Sequence, residues 1–448
     1  MTNAMKQRRM TETLQSQESE MMGEILKEAS GYLRQKTAPI TGGWVKTRFS
    51  EMKVPPDALA RMHKAHELLK AQGNISNMLE DTSDNAMDKV WSPSCWHLFP
   101  ALPRWSAEPA FNVRQWQARP TGVSGAGLVR GFGVGATNTK GRKGMGDTSI
   151  GQDSCSISML PSGWHVYCLF DGHGDGGHFP AARAARTLPY LLQASTSCST
   201  MLKQGNVEAA LFHAFEKVQM DLVRQSLQQD FSLQCCGCTA VCVLRHPEKD
   251  TIWVANLGDS KAILIAPGRG VIAETLDHKP SEEKEKERVE SCGMVREQTF
   301  HDDGFVEERL YIDGEDYPGL CMTRSLGDLC VKQFGVIAEP EIVSWVCPPE
   351  SYILIASDGV WDFLSCDEVC DLVLESISSG QSLEATTNRL LAASQEKWSD
   401  YDDDYCDDIS IILLPSCLPR DSGQDVWRRA QKEDGCCSGL HQRGCQLM

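Results

Sequence analysis

The chain has 448 residues, with 61 acidic against 44 basic side chains, a formal net charge of -17 and an isoelectric point near 5.1. So acidic a chain lacks the basic face that neutralises nucleic-acid phosphates, which excludes nucleic-acid binding as its main activity and requires any bound phosphate to meet a local positive centre. No run approaches the ~20 apolar residues of a membrane span, and none follows Lys6, Arg8 and Arg9, so neither a span nor a secretory signal is expected. The 19 cysteines then point to thiols in a reducing, cytoplasmic compartment.

In chain order, residues 1–120 form an extension of different texture. Leu14, Met21, Ile25, Leu26 and Leu33 predict one amphipathic helix, and Pro56 with Gly73 bracket a second. Trp91, Trp96, Trp105 and Trp116, interleaved with prolines, predict an irregular segment pinned to a neighbouring surface by its indoles. From 121 to 416 the pattern is regular. Strands are expected at 155–160, 164–170, 239–244, 251–256, 261–265, 352–355 and 409–414. Val207, Leu211, Phe215, Val218 and Leu222 give the clearest helical face. Strands in clusters with helices in pairs lack a βαβα rhythm, so the fold class is α+β, layered, with mostly antiparallel sheets. Cys235 and Cys238 form a C-x-x-C without a second pair to complete a zinc site, and read as small residues entering a strand.

Residues 417–448 are a cysteine-rich tail. A C-x5-R from Cys437 to Arg443 follows no strand and opens no helix, so a cysteine-based phosphatase loop is discarded. The last residues, Cys445, Gln446, Leu447 and Met448, have the form of a C-a-a-X box, with Cys436 and Cys437 as a second acylation signal. Lipidation of Cys445 would attach the protein peripherally to a membrane. The alternative is coincidence, since Gln446 is not aliphatic.

The chemistry concentrates at strand ends. Asp171 in LFDGHG, Asp259 in ANLGDS, Asp358 and Asp362 in IASDGVWD, and Asp407 with Asp408 in CDDISIILL each close or open a strand. One such aspartate is ordinary turn chemistry, but four strands ending this way imply an acidic site that a cation must neutralise. Oxygen-only ligands suit magnesium or manganese, and Gly172 could add a backbone carbonyl that no side chain blocks. Two such ions sharing a carboxylate can lower the pKa of a bridging water for in-line attack on phosphorus. A departing serine or threonine alkoxide needs a proton, and His173 is placed to give it. His178 and His278 read as structural.

These segments, with GQDSCSISMLPSGW, CGCTAV, LDHKPSEEKEKERVESCGMV, PGLCMTRSLGDLCVK and GVIAEPEI, closely resemble the metal-dependent protein phosphatases of the protein phosphatase 2C type, the PPM family, over about residues 125–416. The resemblance implies a four-layer α-β-β-α sandwich, two packed sheets flanked by helix pairs, and a monomer acting on phosphorylated proteins. By position it implies two core ions held by Asp153, Asp171, Gly172, Asp358 and Asp407, with Asp171 bridging. Asp259 and Asp362 match the positions that hold a third, weaker ion in many relatives, and Asp328 in SLGD lies near the site. Where many members have Glu-Asp, this chain has Gln152-Asp153, which removes one ligand charge and keeps open a silent domain that only binds phosphoproteins or a partner. Aligning Asp147 in GRKGMGDTSIGQD is the competing choice, and the hairpin after Asp153 fits the spacing better. Arg142 is then the first phosphate-binding candidate and Lys143 the second.

Overall fold

The computed structural model describes residues 80–83, 85–87, 129, 131–144, 147, 149–229, 232–300, 306–402 and 404–416, together with the backbone of strands His97–Pro100 and Trp116–Arg119. The two helices expected before residue 74, Trp91, Trp96, Trp105 and the whole cysteine-rich tail lie outside these residues.

Two antiparallel sheets make the centre. One has seven strands in the order Glu341–Val346, Thr251–Leu257, Ala240–Arg245, His165–Phe170, Ser154–Met159, His97–Pro100 and Trp116–Arg119. The other has five, in the order Gly270–Glu274, Lys261–Ala266, Tyr352–Ala356, Ile409–Pro415 and Gly135–Thr139. Because side chains alternate across a strand, each inner strand feeds two cores. In His165–Phe170, Tyr167 and Leu169 face the other sheet and, with Ile157, Val241 and Val243 of their own sheet, form one core with Ile353, Ile355, Ile412 and Leu414 of the other. Val166, Cys168 and Phe170 face outward to Leu188 and Leu191 of helix His178–Ala194 and to Phe215 and Val218 of helix Val207–Gln229. The smaller sheet repeats the arrangement, packing Ile263, Ile265, Leu354, Ile411 and Leu413 on helices Cys366–Ser378 and Leu383–Tyr401. Burial on both faces explains why these strands read as unbroken apolar runs. The result is the expected four-layer α-β-β-α sandwich. No helix among the described residues is long and apolar enough to cross a membrane.

The tryptophan-rich stretch contains more order than its composition suggests. Strands His97–Pro100 and Trp116–Arg119 pair with each other, and the first also pairs with Ser154–Met159 through His97–Ser158 and Leu98–Ile157. Both lie before residue 121, where the sequence marks the start of the regular pattern. The outer strands Gly135–Thr139, Gly270–Glu274 and Glu341–Val346 also carry no clear alternation in the sequence. A further antiparallel unit, Met294–Phe300, Val306–Ile312 and Pro318–Leu320, packs on its own small core with Val289 and Val336.

Residues 80–83 are tied to the helical face by charge. The fully buried Asp221 accepts from the Thr82 hydroxyl at 2.6 Å, Arg183 Nε at 2.7 Å and an Arg224 terminal nitrogen at 2.8 Å. Burial works to raise its pKa, but the arginines and Thr82 more than offset this and hold the carboxyl below its ordinary value. Removing one member of such a group leaves uncompensated buried charge. Asp221→Asn should therefore cost about 3–5 kcal/mol in urea unfolding at neutral pH. A depressed native pKa gives stability that is complete above the unfolded aspartate range, ~4, and is lost as pH falls through the native pKa. The gap between wild type and variant should close on acidification; a gap independent of pH would contradict this role.

Candidate active site

Antiparallel pairing brings the acids together. Ser154 pairs with Phe170, which sets Asp153, just before one strand, beside Asp171, just after the next. Ala356 pairs with Ile411 in one ladder and with Lys261 in another, so Asp358 lies between Asp407–Asp408 and Asp259. Since the two sheets pack face to face, both groups reach one edge of the sandwich. Asp171 and Asp358 lie within hydrogen-bonding reach of each other, and Asp153 and Asp407 add to the negative field around them.

The cost of this crowding is visible in the acids themselves. Burial first, then the charges of Asp358, Asp153 and Asp407, push Asp171 well above the carboxylate range. Asp358 is pushed up likewise, by burial and by Asp362, Asp407 and Asp259. Asp153 is fully buried and raised to about 7 by burial and by Asp408. Only the Ser410 and Ser357 hydroxyls stand near its carboxyl oxygens, and neither makes a well-formed hydrogen bond to them; one oxygen of Asp259 also lacks a donor. Buried acceptors without donors are what a hard cation would satisfy.

Lysines answer part of the charge. Lys143 Nζ contacts Asp407 Oδ1, and burial of Asp407 is outweighed by that ammonium, which holds its carboxyl low. Tyr405 also donates to Asp407 at 3.2 Å. Lys279 Nζ lies 2.9 Å from Asp259 Oδ2; burial opposes its charge, but Asp259, with Asp362 and Asp358, outweighs this and keeps the lysine protonated. Among the described residues, no three His, Cys, Asp or Glu side chains form a closed metal cage. The donors nevertheless fit magnesium or manganese, being oxygen throughout, buried and partly unpartnered.

Gly172 is required by space. A Cβ there would lie 2.4 Å from the Gly177 carbonyl oxygen and 2.7 Å from that of Gln152, so only glycine lets the loop close against both segments. The Gln152 amide donates to the Gly174 carbonyl at 2.7 Å, and its backbone N–H donates to Asp408 Oδ2 at 2.5 Å. The amide thus clamps the DGHG loop. Asp147, the competing alignment, turns away: it accepts from Lys140 Nζ, from Lys143 N at 3.0 Å and from Ser149 N at 2.8 Å. Asp153 is the acid that joins the cluster.

His173 sits on the strand Gly172–Gly174, which pairs with Cys236–Cys238, itself paired with Leu326–Gly327. His173 Nε2 lies 2.7 Å from Asp328 Oδ2, whose side chain is fully buried and also accepts from Ser325 Oγ at 2.5 Å. Burial opposes the charged imidazole, but the Asp328 carboxylate outweighs it and raises the histidine pKa. Asp328 has φ of 47°, a left-handed conformation that a non-glycine residue holds only when its surroundings compel it. Arg142 points elsewhere, to Asp404 at 2.8 Å. His178 opens helix His178–Ala194 and lies against Phe179, while His278 Nδ1 accepts from Gly258 N at 3.0 Å and fixes the turn before Asp259. Sequence reasoning missed Lys279, although DHKP placed it on view; its role depends on reaching Asp259 across the fold.

A raised aspartate binds its proton in the folded state up to about pH 7, whereas the unfolded chain releases it near pH ~4. In chelator, the stability contributed by this proton is therefore complete below pH ~4, falls as pH rises from there to about 7, and is gone above it. Manganese at ~100 times its dissociation constant should restore about 2.7 kcal/mol. Thermal unfolding at pH ~5 and at about pH 7, with and without the cation, reads both effects; a midpoint unchanged by manganese would contradict the cation site.

The protein phosphatase 2C family description matches residues 132–400. A rice (Oryza sativa subsp. japonica) protein named "Probable protein phosphatase 2C 64" is 34% identical over 56% of this chain and 58% of its own length, so the chain matches little more than half of that relative. A second rice protein, "Probable protein phosphatase 2C 48", is 33% identical over 56% of this chain and 76% of its own. Among solved structures, a serine-threonine phosphatase 2C from Toxoplasma gondii superposes with a TM-score of 0.51 at 18% identity, covering 72% of this chain and 99% of that one, which bears on the fold alone. The chain belongs to the protein phosphatase 2C family, a family of protein serine/threonine phosphatases.

Proposed function

We propose that the protein is a magnesium- or manganese-dependent phosphatase that hydrolyses phosphoserine and phosphothreonine in proteins by direct attack of water on phosphorus. The observation that carries this reading is the meeting of Asp153, Asp171, Asp358 and Asp407 at one sheet edge, with the His173–Asp328 pair beside them. Asp153, Asp171, Asp358, Asp407 and the Gly172 carbonyl would hold two ions, and Asp259 with Asp362 a weaker third. When bound, such ions supply charge neutralisation and a more acidic water.

The remaining work falls to side chains of this chain. Asp328 holds the His173 ring through Nε2 and favours its protonated form, leaving Nδ1 to give a proton to the departing alkoxide. Lys143, which stands on the acidic cluster, is the better placed of the two basic candidates to meet substrate phosphate. Arg142, paired with Asp404 outside it, is the weaker one. Gln152 acts on the loop through Gly174, so its lack of charge is compatible with catalysis.

A phosphothreonine peptide with manganese, chelator as blank and Asp171→Ala as control, tests the reading directly. Turnover should require the metal and vanish in the variant; no metal-dependent release above that of the variant would sink the enzyme reading and leave a phosphoprotein-binding domain. His173→Ala should slow the peptide ~10²–10⁴-fold while sparing p-nitrophenyl phosphate, whose leaving group needs no proton. Equal losses on both substrates would remove the general-acid role. Lys143→Ala should raise KM roughly tenfold or more, the worth of a charge-assisted hydrogen bond, and Arg142→Ala much less. The reverse order would return the phosphate contact to Arg142.

A further inference from the structure

Cys235 and Cys330 are 95 residues apart in sequence, yet their sulfurs lie 3.4 Å apart. Their segments are already fastened by backbone hydrogen bonds: Leu329 N to Leu233 O at 2.9 Å, Cys330 N to Gln234 O at 3.0 Å, and Asp328 N to Cys236 O at 2.9 Å. The neighbouring thiols are engaged otherwise. Cys236 donates to the Ser232 carbonyl at 3.0 Å, and Cys238 is fully buried in the strand. Cys235 is half-buried, whereas Cys330 is wholly enclosed. A disulfide needs the sulfurs at about 2.05 Å, so closure requires an approach of little more than ~1 Å between side chains whose backbones are already in register.

We propose that Cys235 and Cys330 form a reversible oxidation site, closed to a disulfide by hydrogen peroxide and reopened by dithiols, and that closure slows the His173-dependent step. The Cys235 thiolate attacks one peroxide oxygen, the O–O bond breaks and hydroxide leaves, giving a sulfenic acid. The Cys330 sulfur then attacks the Cys235 sulfur. The S–O bond breaks, and water leaves with the Cys330 proton. In sum, two thiols and one hydrogen peroxide give one disulfide and two waters, each sulfur losing one electron. Exposure assigns the first oxidation to Cys235 and the resolving attack to Cys330.

The consequence for catalysis follows from what the two segments hold. Cys236 O anchors Asp328 N, and Gly237 is packed so tightly that a Cβ there would lie 2.3 Å from Asp328 Oδ2. Gly174, next to His173, is packed equally closely, a Cβ there lying 2.2 Å from the Cys235 carbonyl oxygen. A shift of Cys235 toward Cys330 is therefore transmitted to both partners of the His173–Asp328 pair. This second half of the proposal rests on the phosphatase reading; the chemistry of the thiols does not.

The test treats the full-length protein with hydrogen peroxide, blocks remaining thiols by alkylation and maps cross-linked peptides by mass spectrometry. A Cys235–Cys330 peptide that disappears after dithiothreitol is expected, and it should be absent from Cys235→Ser and from Cys330→Ala. Absence of this cross-link in wild type, or pairing of Cys235 with Cys236 or Cys321 instead, would overturn the site. The cross-linked protein should hydrolyse a phosphothreonine peptide at least about tenfold more slowly, with p-nitrophenyl phosphate much less affected, because small displacements of a positioned catalytic group carry losses of this size. Cys235→Ser should keep basal activity and lose peroxide sensitivity. A cross-link that leaves both rates unchanged would overturn the coupling to His173. A cross-link in a protein without any turnover would support the thiol site and count against the phosphatase reading alone.

Discussion

Repulsion among buried carboxylates is the constraint around which this molecule is organised. Asp153, Asp171 and Asp358 are all held above the ordinary aspartate range, first by burial and then by the carboxylates around them, among which Asp407 acts on all three, and a fold that merely sought stability would not assemble them. The sandwich can tolerate the arrangement because its other energies are large. Both sheets are buried on both faces, and the strands that carry the acids are fixed by ladders on each side. Lys143 and Lys279 relieve part of the charge without filling the site, since an ammonium satisfies one or two oxygens where a small divalent cation gathers several.

The same constraint explains the glycines and the strained residue nearby. At Gly172 the backbone must pass between two carbonyls, and any side chain would push the loop out of the cluster. At Asp328 a positive φ places a carboxylate under the His173 ring, a conformation tolerated because Cys236, Ser325 and Gly237 surround it. His173 and Gly172 thus share one small three-stranded unit, Gly172–Gly174 with Cys236–Cys238 and Leu326–Gly327. That sharing makes a thiol pair in the adjoining segments relevant to the chemistry.

Much of this was legible in the sequence, for physical reasons that differ from residue to residue. The inner strands declared themselves because double-sided burial demands apolar residues throughout, and the helix over Val207–Gln229 because one face is buried without interruption. Asp171, Asp259, Asp358 and Asp407 were visible as acids at strand ends. Strands His97–Pro100 and Trp116–Arg119 were not, since prolines and indoles mask any alternation and their existence depends on the edge of Ser154–Met159 being available. Lys143 and Arg142 are adjacent, and composition cannot tell which of them turns inward; the pairing of Arg142–Lys143 with Tyr405–Cys406 decides it. Nor could any local pattern reveal the docking of Thr82 on Asp221 or the approach of Cys235 to Cys330, which join distant parts of the chain.

The central claim is that the converging aspartates form an oxygen-only site for divalent cations. Calorimetric titration of manganese into wild-type protein and into Asp171→Asn tests it most directly, because it reads occupancy without any substrate. The account requires saturable binding of about two ions in wild type, as a shared carboxylate between paired metals implies, and loss of most of that binding in the variant. Equal stoichiometry and affinity in both proteins would contradict it.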